Sequence, residues 1–131
     1  MTMHQDLLND SLVALRHGDR GGKPQVVLEP TSRLLGEVLR ILREHRYISD
    51  FAFVENGRGG RYEVTLSRRI NHCGVIKPRI SVAYRDLERY ESRYLPAQDF
   101  GLLMLSTHRG IVTHQEARAQ KLGGRLLAYV Y

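Results

Sequence analysis

The most restrictive feature of the sequence is a continuous apolar run, Leu102-Leu103-Met104-Leu105, which leads directly into a polar turn. A short apolar run without alternation is typical of a β-strand that is covered on both faces. Thr113 and Glu116 then have the spacing of a capping box, which predicts a short helix that Gly123 ends. The C-terminal half is therefore predicted to be layered, with this strand inside a sheet.

The remaining C-terminal segments supply neighbours for that strand. Residues 75–84 have strand character that Pro78 interrupts, which favours a sheet edge or a bulge. Residues 86–93 are charged and fit a helical connector, and residues 125–131 alternate as a final strand does. We predict a C-terminal lobe of mostly antiparallel β-structure with a short helix.

The N-terminal half begins with a helical pattern. Leucines at i, i+4 and i+7 over residues 8–15 form one stripe, and Gly18 is expected to end this helix. Thr2 and Gln5 have the spacing of a capping box at its start. A loop then leads to a short strand at residues 25–29.

A second helix and a hairpin complete this half. Pro30-Thr31-Ser32 marks the start of the helix, and Gly36 within it predicts close packing against a neighbour. Residues 51–66 alternate on both sides of a glycine-rich turn, which predicts a hairpin. The fold class is therefore α+β, with two small α/β lobes: an N-terminal α-β-α-β-β lobe of residues 1–67 and a C-terminal lobe of residues 68–131.

The charge of the chain limits the classes of function to consider. The sequence has twenty Lys and Arg residues and fourteen Asp and Glu residues, and only three of the twenty are lysines. Arginine presents a planar fork of donors that fits phosphate, so this balance makes a nucleic-acid partner a candidate, and charge alone leaves an inert basic surface equally open. No apolar run approaches the roughly 20 residues of a membrane span. A single cysteine and the absence of a secretory signal pattern at the start predict a cytoplasmic protein.

An enzyme is the first alternative. Cys73 has His72 beside it, but adjacent residues on a strand point to opposite faces, so a buried structural thiol is the favoured interpretation. The sequence has no paired Cys-x-x-Cys zinc pattern and no glycine loop that leads into a helix as a nucleotide site requires. We therefore predict a chain that is not an enzyme and that needs no cofactor, metal or small-molecule substrate.

Nucleic-acid binding has a better candidate. The turn Ser106-Thr107-His108-Arg109-Gly110 places hydroxyl, imidazole and guanidinium groups at the end of the buried strand. Such groups can read RNA base edges and ribose hydroxyls, although small polar residues are also common in ordinary surface turns. Further cations and hydroxyls belong to the same hypothesis if they share one face: Lys77, Arg79, Ser32 and Arg33.

Several dispersed segments, in order, resemble one known family along essentially the whole chain. These segments are Ser32-Arg33-Leu34, Tyr47-Ile48-x-x-Phe51, residues 71–79, residues 94–97, Phe100-Gly101 through Leu105-Ser106-Thr107-x-x-Gly110, His114-x-Glu116-Ala117 and Gly123-Gly124-x-Leu126-Leu127-Ala128-Tyr129. Together they resemble the universal family of small-subunit ribosomal protein eight. The residues around Cys73 are similar to those of its archaeal and eukaryotic branch.

The resemblance implies a two-lobed, non-catalytic protein that binds the central domain of small-subunit ribosomal RNA and supports its assembly beside neighbouring ribosomal proteins. It implies that the main RNA contact is Ser106 and Thr107, with Gly110 shaping the turn and with His108 where the bacterial branch has another serine. The family's Gly-Gly segment corresponds to Gly123 and Gly124, followed here by Arg125. Phosphate contacts are implied near Ser32 and Arg33. A free-standing RNA- or DNA-binding protein outside the ribosome remains the alternative function.

Overall fold

The computed structural model describes residues 3–131, with side chains from Leu7 onward. The chain divides into two compact units, Met1–Asn71 and His72–Tyr131. Both contain helices and antiparallel strands, which confirms the predicted α+β class with two small lobes. Within the described residues, no helix combines the length and apolar character needed to cross a membrane.

The first unit has the predicted α-β-α-β-β order. Its elements are α1 (Met3–Arg20), β1 (Gln25–Leu28), α2 (Arg33–Glu44), β2 (Ile48–Val54) and β3 (Arg61–Leu66). The three strands form an antiparallel sheet in the order β1-β3-β2. Ser32 caps α2, because its hydroxyl oxygen accepts a 3.0 Å hydrogen bond from the Leu35 backbone N–H. The apolar stripe of α2 is buried, as its spacing predicts.

Close packing explains where this unit departs from the prediction. Gly18 does not end α1, which continues to Arg20. A Cβ atom on Gly18 would lie 2.5 Å from Val26 Cγ2, so this glycine allows the helix to approach β1. Gly36 has the predicted role, since its Cβ would lie 2.5 Å from the Tyr62 hydroxyl oxygen. The capping box predicted from Thr2 and Gln5 lies outside the described side chains.

The division between the units falls after Asn71, whereas the sequence pattern suggests a boundary after residue 67. The buried Asp19 carboxylate, on α1, explains the difference. It accepts hydrogen bonds from the backbone N–H of Arg68 at 2.7 Å and of Ile70 at 3.0 Å. These bonds hold the segment after β3 to the first unit.

The second unit is a mostly antiparallel sheet with two helices. Its elements are β4 (Cys73–Val75), β5 (Ser81–Val82), a 3₁₀ turn (Tyr84–Asp86), α3 (Leu87–Tyr94), β6 (Leu102–Thr107), β7 (Gly110–Thr113), α4 (His114–Gln120) and β8 (Gly124–Val130). The strand order is β4-β8-β6-β7, and β5 also pairs with β8. Residues 102–105 are all buried, as predicted for a strand covered on both faces.

The capping box before α4 is confirmed, since the Thr113 hydroxyl oxygen accepts a 3.2 Å bond from the Glu116 N–H. Gly123 does not end this helix. Lys121 does so in the left-handed conformation, with a φ of 57°. Gly123 instead faces β5, because a Cβ there would lie 2.9 Å from the Val82 carbonyl oxygen.

Candidate nucleic-acid interface

A two-residue turn, His108-Arg109, joins β6 to β7 and is closed by the pair of Thr107 and Gly110. The Thr107 hydroxyl donates to the Gly110 carbonyl oxygen at 2.8 Å and accepts from the Arg109 N–H at 3.1 Å. Gly110 has a φ of 100°, which a residue with a side chain rarely adopts. Thr107 and Gly110 therefore set the shape of the turn, and the Thr107 hydroxyl is already engaged twice.

Ser106 lies one residue earlier and differs from Thr107. Its side chain is half-buried, and its hydroxyl makes no hydrogen bond within the described part of the chain. In the sheet it lies opposite Ile111 on β7 and Arg125 on β8. A serine hydroxyl can donate one hydrogen bond and accept two, so Ser106 offers all of these to a ligand.

Glycines form the floor beside Ser106. A Cβ on Gly124 would lie 2.3 Å from the Ser106 carbonyl oxygen and 3.0 Å from Thr107 Cγ2. No side chain fits there, so β8 begins directly against β6 and leaves an open groove. We call it the serine groove; its lining residues are Ser81, Val82, Ala83, Ser106, Thr107, His108, Gly123, Gly124 and Arg125.

One arginine lines the serine groove and another lies in the turn beside it. Arg125 is exposed and lies between Ser81 and Ser106 across the sheet. Residues of directly opposed pairs share a face, so its guanidinium is on the same face as the two hydroxyls. His108 is exposed at the turn, and Arg109 donates a 3.4 Å hydrogen bond to Gln120 on α4. The groove thus combines neutral hydroxyl groups with positive charge.

Two predicted residues lie elsewhere in the second unit. Lys77 and Arg79 belong to the hypothesis only if they share a face with the turn, but they lie in the segment between β4 and β5, with a bend at Lys77 and Pro78. The ladder with β8 is made by the flanking residues, because the Ile76 N–H donates to Leu127 and the Leu126 N–H donates to Ile80, each at 2.9 Å. Pro78 has no N–H to contribute at this point. Neither cation lines the serine groove.

Ser32 and Arg33 belong to the first unit, at the start of α2. The Ser32 hydroxyl is the helix cap, and Thr31 beside it donates a 2.7 Å hydrogen bond to the Gly59 carbonyl oxygen. Arg33 is exposed, and the first turn of α2 has no acidic residue. This helix end therefore tolerates an anion, although Ser32 already has a structural role.

A buried polar network holds β6 in place. His114, fully buried at the start of α4, accepts a 3.0 Å hydrogen bond at Nδ1 from the Leu103 N–H. Its proton is therefore assigned to Nε2, which lies 3.2 Å from Glu91 Oε1. Arg118 forms an ion pair with the other Glu91 oxygen. The strand that ends at Ser106 is thus hydrogen-bonded to His114 of α4, which lies against Glu91 of α3.

Sequence reasoning missed Ser81, Val82 and Ala83 as lining residues of the serine groove, and it missed the His114–Glu91 contact. The sequence carries no local signal for either, because both depend on pairing between distant segments. Cys73 is buried on β4, in agreement with a structural thiol. Within the described residues, no cluster of His, Cys, Asp and Glu has the arrangement of a metal site.

Comparison with known proteins identifies the family. A family model described as ribosomal protein S8 matches residues 6–131. The chain is 50% identical to the small ribosomal subunit protein uS8 of Picrophilus torridus, over 98% of this chain and 100% of that protein. It is 50% identical to the uS8 protein of Methanosphaerula palustris, over 97% and 98% respectively, and 45% identical to that of Thermoplasma volcanium, over 98% and 100%.

These relatives are ribosomal proteins and not enzymes, which confirms the prediction of a chain without catalytic activity. The resemblance that the dispersed motifs carry is also confirmed, and it extends over nearly the whole sequence. The chain belongs to the ribosomal protein S8 family, the small-subunit proteins uS8.

Proposed function

We propose that this protein binds small-subunit ribosomal RNA directly, at the central domain, and supports assembly of that domain within cytoplasmic ribosomes. Membership of the uS8 family supports a structural role in the small subunit, beside neighbouring ribosomal proteins. The observation that carries the proposal is the Ser106 hydroxyl, which makes no hydrogen bond within the described residues and lines a groove floored by glycine.

The serine groove has the chemistry of RNA readout. Irregular RNA exposes base edges and ribose 2′-hydroxyls, and both exchange hydrogen bonds with a free serine hydroxyl. Thr107 contributes by fixing the turn, since its hydroxyl donates to the Gly110 carbonyl oxygen and accepts from the Arg109 N–H. Ser106 is therefore proposed as the direct contact, with Thr107 and Gly110 as positioning residues.

Phosphate binding is proposed for the surrounding cations. The second unit has nine Lys and Arg residues against five Asp and Glu residues. Arg125 and Arg109 are near the hydroxyls, and Lys77 and Arg79 add charge outside the groove. Phosphate contacts set position and affinity while base-edge contacts set specificity, so these cations act in a different way from Ser106. Ser32 and Arg33 are proposed as phosphate contacts of the first unit.

The test is the variant Ser106→Ala, with binding measured to a fragment of central-domain RNA at several salt concentrations. We expect the affinity to fall by about 1–3 kcal/mol, the worth of a direct base contact, with no change in salt dependence because no charge is lost. Thr107→Ser is the matched control, since it keeps the hydroxyl that holds the turn. Unchanged affinity of Ser106→Ala for the fragment would refute the assignment of this groove.

The alternative, a binder of many nucleic acids outside the ribosome, predicts a different competition result. Excess transfer RNA would then displace the central-domain fragment from the wild-type protein. We expect the fragment to remain bound, because hydrogen bonds to base edges discriminate between RNAs whereas phosphate contacts do not. Chemical footprinting of whole small-subunit RNA identifies the nucleotides that the protein protects.

A further inference from the structure

The C-terminal end of α2 carries an arginine where glycine is usual. The Tyr47 N–H donates to the Leu42 carbonyl oxygen at 2.8 Å, and the Arg46 N–H donates to the Arg43 carbonyl oxygen at 3.0 Å. This is the Schellman pattern, in which the residue at the position of Arg46 adopts the left-handed conformation. Arg46 does so with a φ of 65°. Glycine would adopt it without a steric penalty, so the arginine needs another reason.

Arg46 lines a groove in the first unit with two other arginines. We call it the arginine groove; its lining residues are Arg43, Arg46, Ile48, Ser49, Ser67 and Arg69. All three arginines and Ser49 are exposed, and Ile48 is buried. The Ser67 hydroxyl donates to the Tyr47 carbonyl oxygen at 3.2 Å and keeps its lone pairs for a further partner.

The three guanidiniums differ in their partners. Arg43 lies 3.4 Å from the Asp50 carboxylate and 4.9 Å from the centre of the Phe51 ring, so its direction is held. Arg46 and Arg69 have no carboxylate within 4.0 Å in the part of the chain that the structure describes. The arginine groove therefore carries two unneutralised charges beside a third whose direction is fixed.

We propose that the arginine groove is a further RNA contact, which binds the sugar-phosphate backbone of ribosomal RNA. This inference rests on the proposed function and adds a second surface in the first unit, at the opposite end of α2 from Ser32 and Arg33. Guanidinium groups fit phosphate oxygens in a bidentate manner, and the exposed serine can donate to a further phosphate oxygen. The groove offers no exposed apolar side chain of the kind that anchors a protein interface, which favours RNA over an acidic protein.

Salt dependence gives the first test. Each phosphate contact contributes about 0.9 to the slope of log affinity against log salt, which is about eightfold in affinity at 0.1 M salt relative to 1 M. Log affinity falls as log salt rises, so this slope is negative. We expect Arg46→Gly and Arg69→Gln each to make it shallower by about 0.9, and the double variant by about twice that. Glycine suits the conformation at residue 46, so Arg46→Gly keeps the fold while it removes the charge.

The matched control is Arg40→Gln, which removes the same charge from the same helix. Arg40 does not line the groove and already pairs with Glu44 at 2.8 Å, so its loss should leave the slope unchanged. Equal slopes for wild type and the double variant would overturn the proposal. Failure of the wild-type protein to bind central-domain RNA at all would instead refute the proposed function, and the two failures are therefore distinguishable.

Directed cleavage gives the second test. A hydroxyl-radical source is attached to Ser49→Cys within the groove, and to Ala52→Cys, an exposed position outside it, as the control. Cys73 is buried and does not compete for the reagent. We expect Ser49→Cys to give strong, local cleavage of RNA in the assembled small subunit that Ala52→Cys does not give. Absence of that cleavage, with crosslinking of Ser49→Cys to a neighbouring protein, would assign the groove to a protein and overturn the proposal.

Discussion

The serine groove of the second unit and the arginine groove of the first are built in opposite ways. In the serine groove, a neutral hydroxyl lies on a central strand whose backbone packs closely against that of Gly124, so the short side chain starts from a well-defined backbone position. In the arginine groove, three long cations lie around a helix end, and two of them have no partner to fix them within the described residues. A hydrogen bond requires precise geometry and a charge does not, so the first surface suits recognition and the second suits attraction.

The two grooves also differ in the contacts that support them. The strand leading to Ser106 is held at Leu103 by buried His114, which in turn faces Glu91. The arginine groove lies at the C-terminal end of α2, where backbone hydrogen bonds and the bond from the Ser67 hydroxyl to the Tyr47 carbonyl oxygen set the path of the chain. Its lining residues, all of them described, contain no buried polar side-chain network. Disturbing the support should therefore affect recognition more than attraction, and the predictions below start from the strongest disturbance.

The largest effect is expected for His114→Ala. The substitution opens a cavity and leaves the buried Leu103 N–H without its acceptor, while Glu91 keeps its ion pair with Arg118. The cavity and the unsatisfied N–H together lower the free energy of unfolding by about 2–5 kcal/mol, and urea denaturation measures the change. His108→Ala, at an exposed histidine of the same unit, should change it by less than about 0.5 kcal/mol. Equal stabilities of the two variants would show that the buried network does not support β6.

A smaller but more local effect is expected for Gly124→Ala. The new methyl group would meet the Ser106 carbonyl oxygen, which belongs to the backbone of a central strand and cannot move freely. Overpacking of this kind costs about 1–3 kcal/mol, and we expect lower thermal stability together with weaker RNA binding. Amide chemical shifts of Ser106 and Thr107 should report the displacement.

Gly36→Ala is the control for Gly124→Ala. Its methyl group meets only the hydroxyl end of Tyr62, which donates to the Ser32 carbonyl oxygen at 3.3 Å. Burial raises the pKa of that hydroxyl above its usual value, so it remains a donor at neutral pH. The side chain can shift, and alanine gains about 1 kcal/mol of helix propensity over glycine. A greater loss of stability at Gly36 than at Gly124 would contradict the distinction between rigid and movable neighbours.

Local sequence signals predicted the parts of both units that local contacts decide. The cap at Thr113 was predicted because Thr113 and Glu116 lie three positions apart, and the start of α2 was predicted from the local signal Pro30-Thr31-Ser32. The ends of α1 and α4 were placed wrongly at Gly18 and Gly123, since both glycines serve packing against strands that lie elsewhere in the sequence. A glycine pattern alone does not distinguish a helix end from a close approach.

The candidate sites show the same limit. Ser106 follows from the family resemblance and from its position after a buried strand, whereas Ser81 reaches the same groove only through the pairing of β5 with β8. In the arginine groove, Arg43 and Arg46 are close in sequence, but Arg69 joins them from beyond β3. Charge counts predicted a basic protein and could not assign its cations to particular surfaces.

The smallest effect is expected at Lys121, which provides the sharpest comparison with Arg46. The end of α4 has the same hydrogen-bond pattern, with the Leu122 N–H on the Ala117 carbonyl oxygen at 2.8 Å and Lys121 left-handed at a φ of 57°. Lys121→Gly should therefore raise the free energy of unfolding by up to about 1 kcal/mol, measured by thermal denaturation, as Arg46→Gly should. Lys121 lines neither groove, so Lys121→Gly should leave the salt dependence of RNA binding unchanged. Arg46→Gly should instead make that salt dependence weaker. A similar weakening for both variants would mean that the protein attracts RNA through its overall charge, and the arginine groove would then have no separate role.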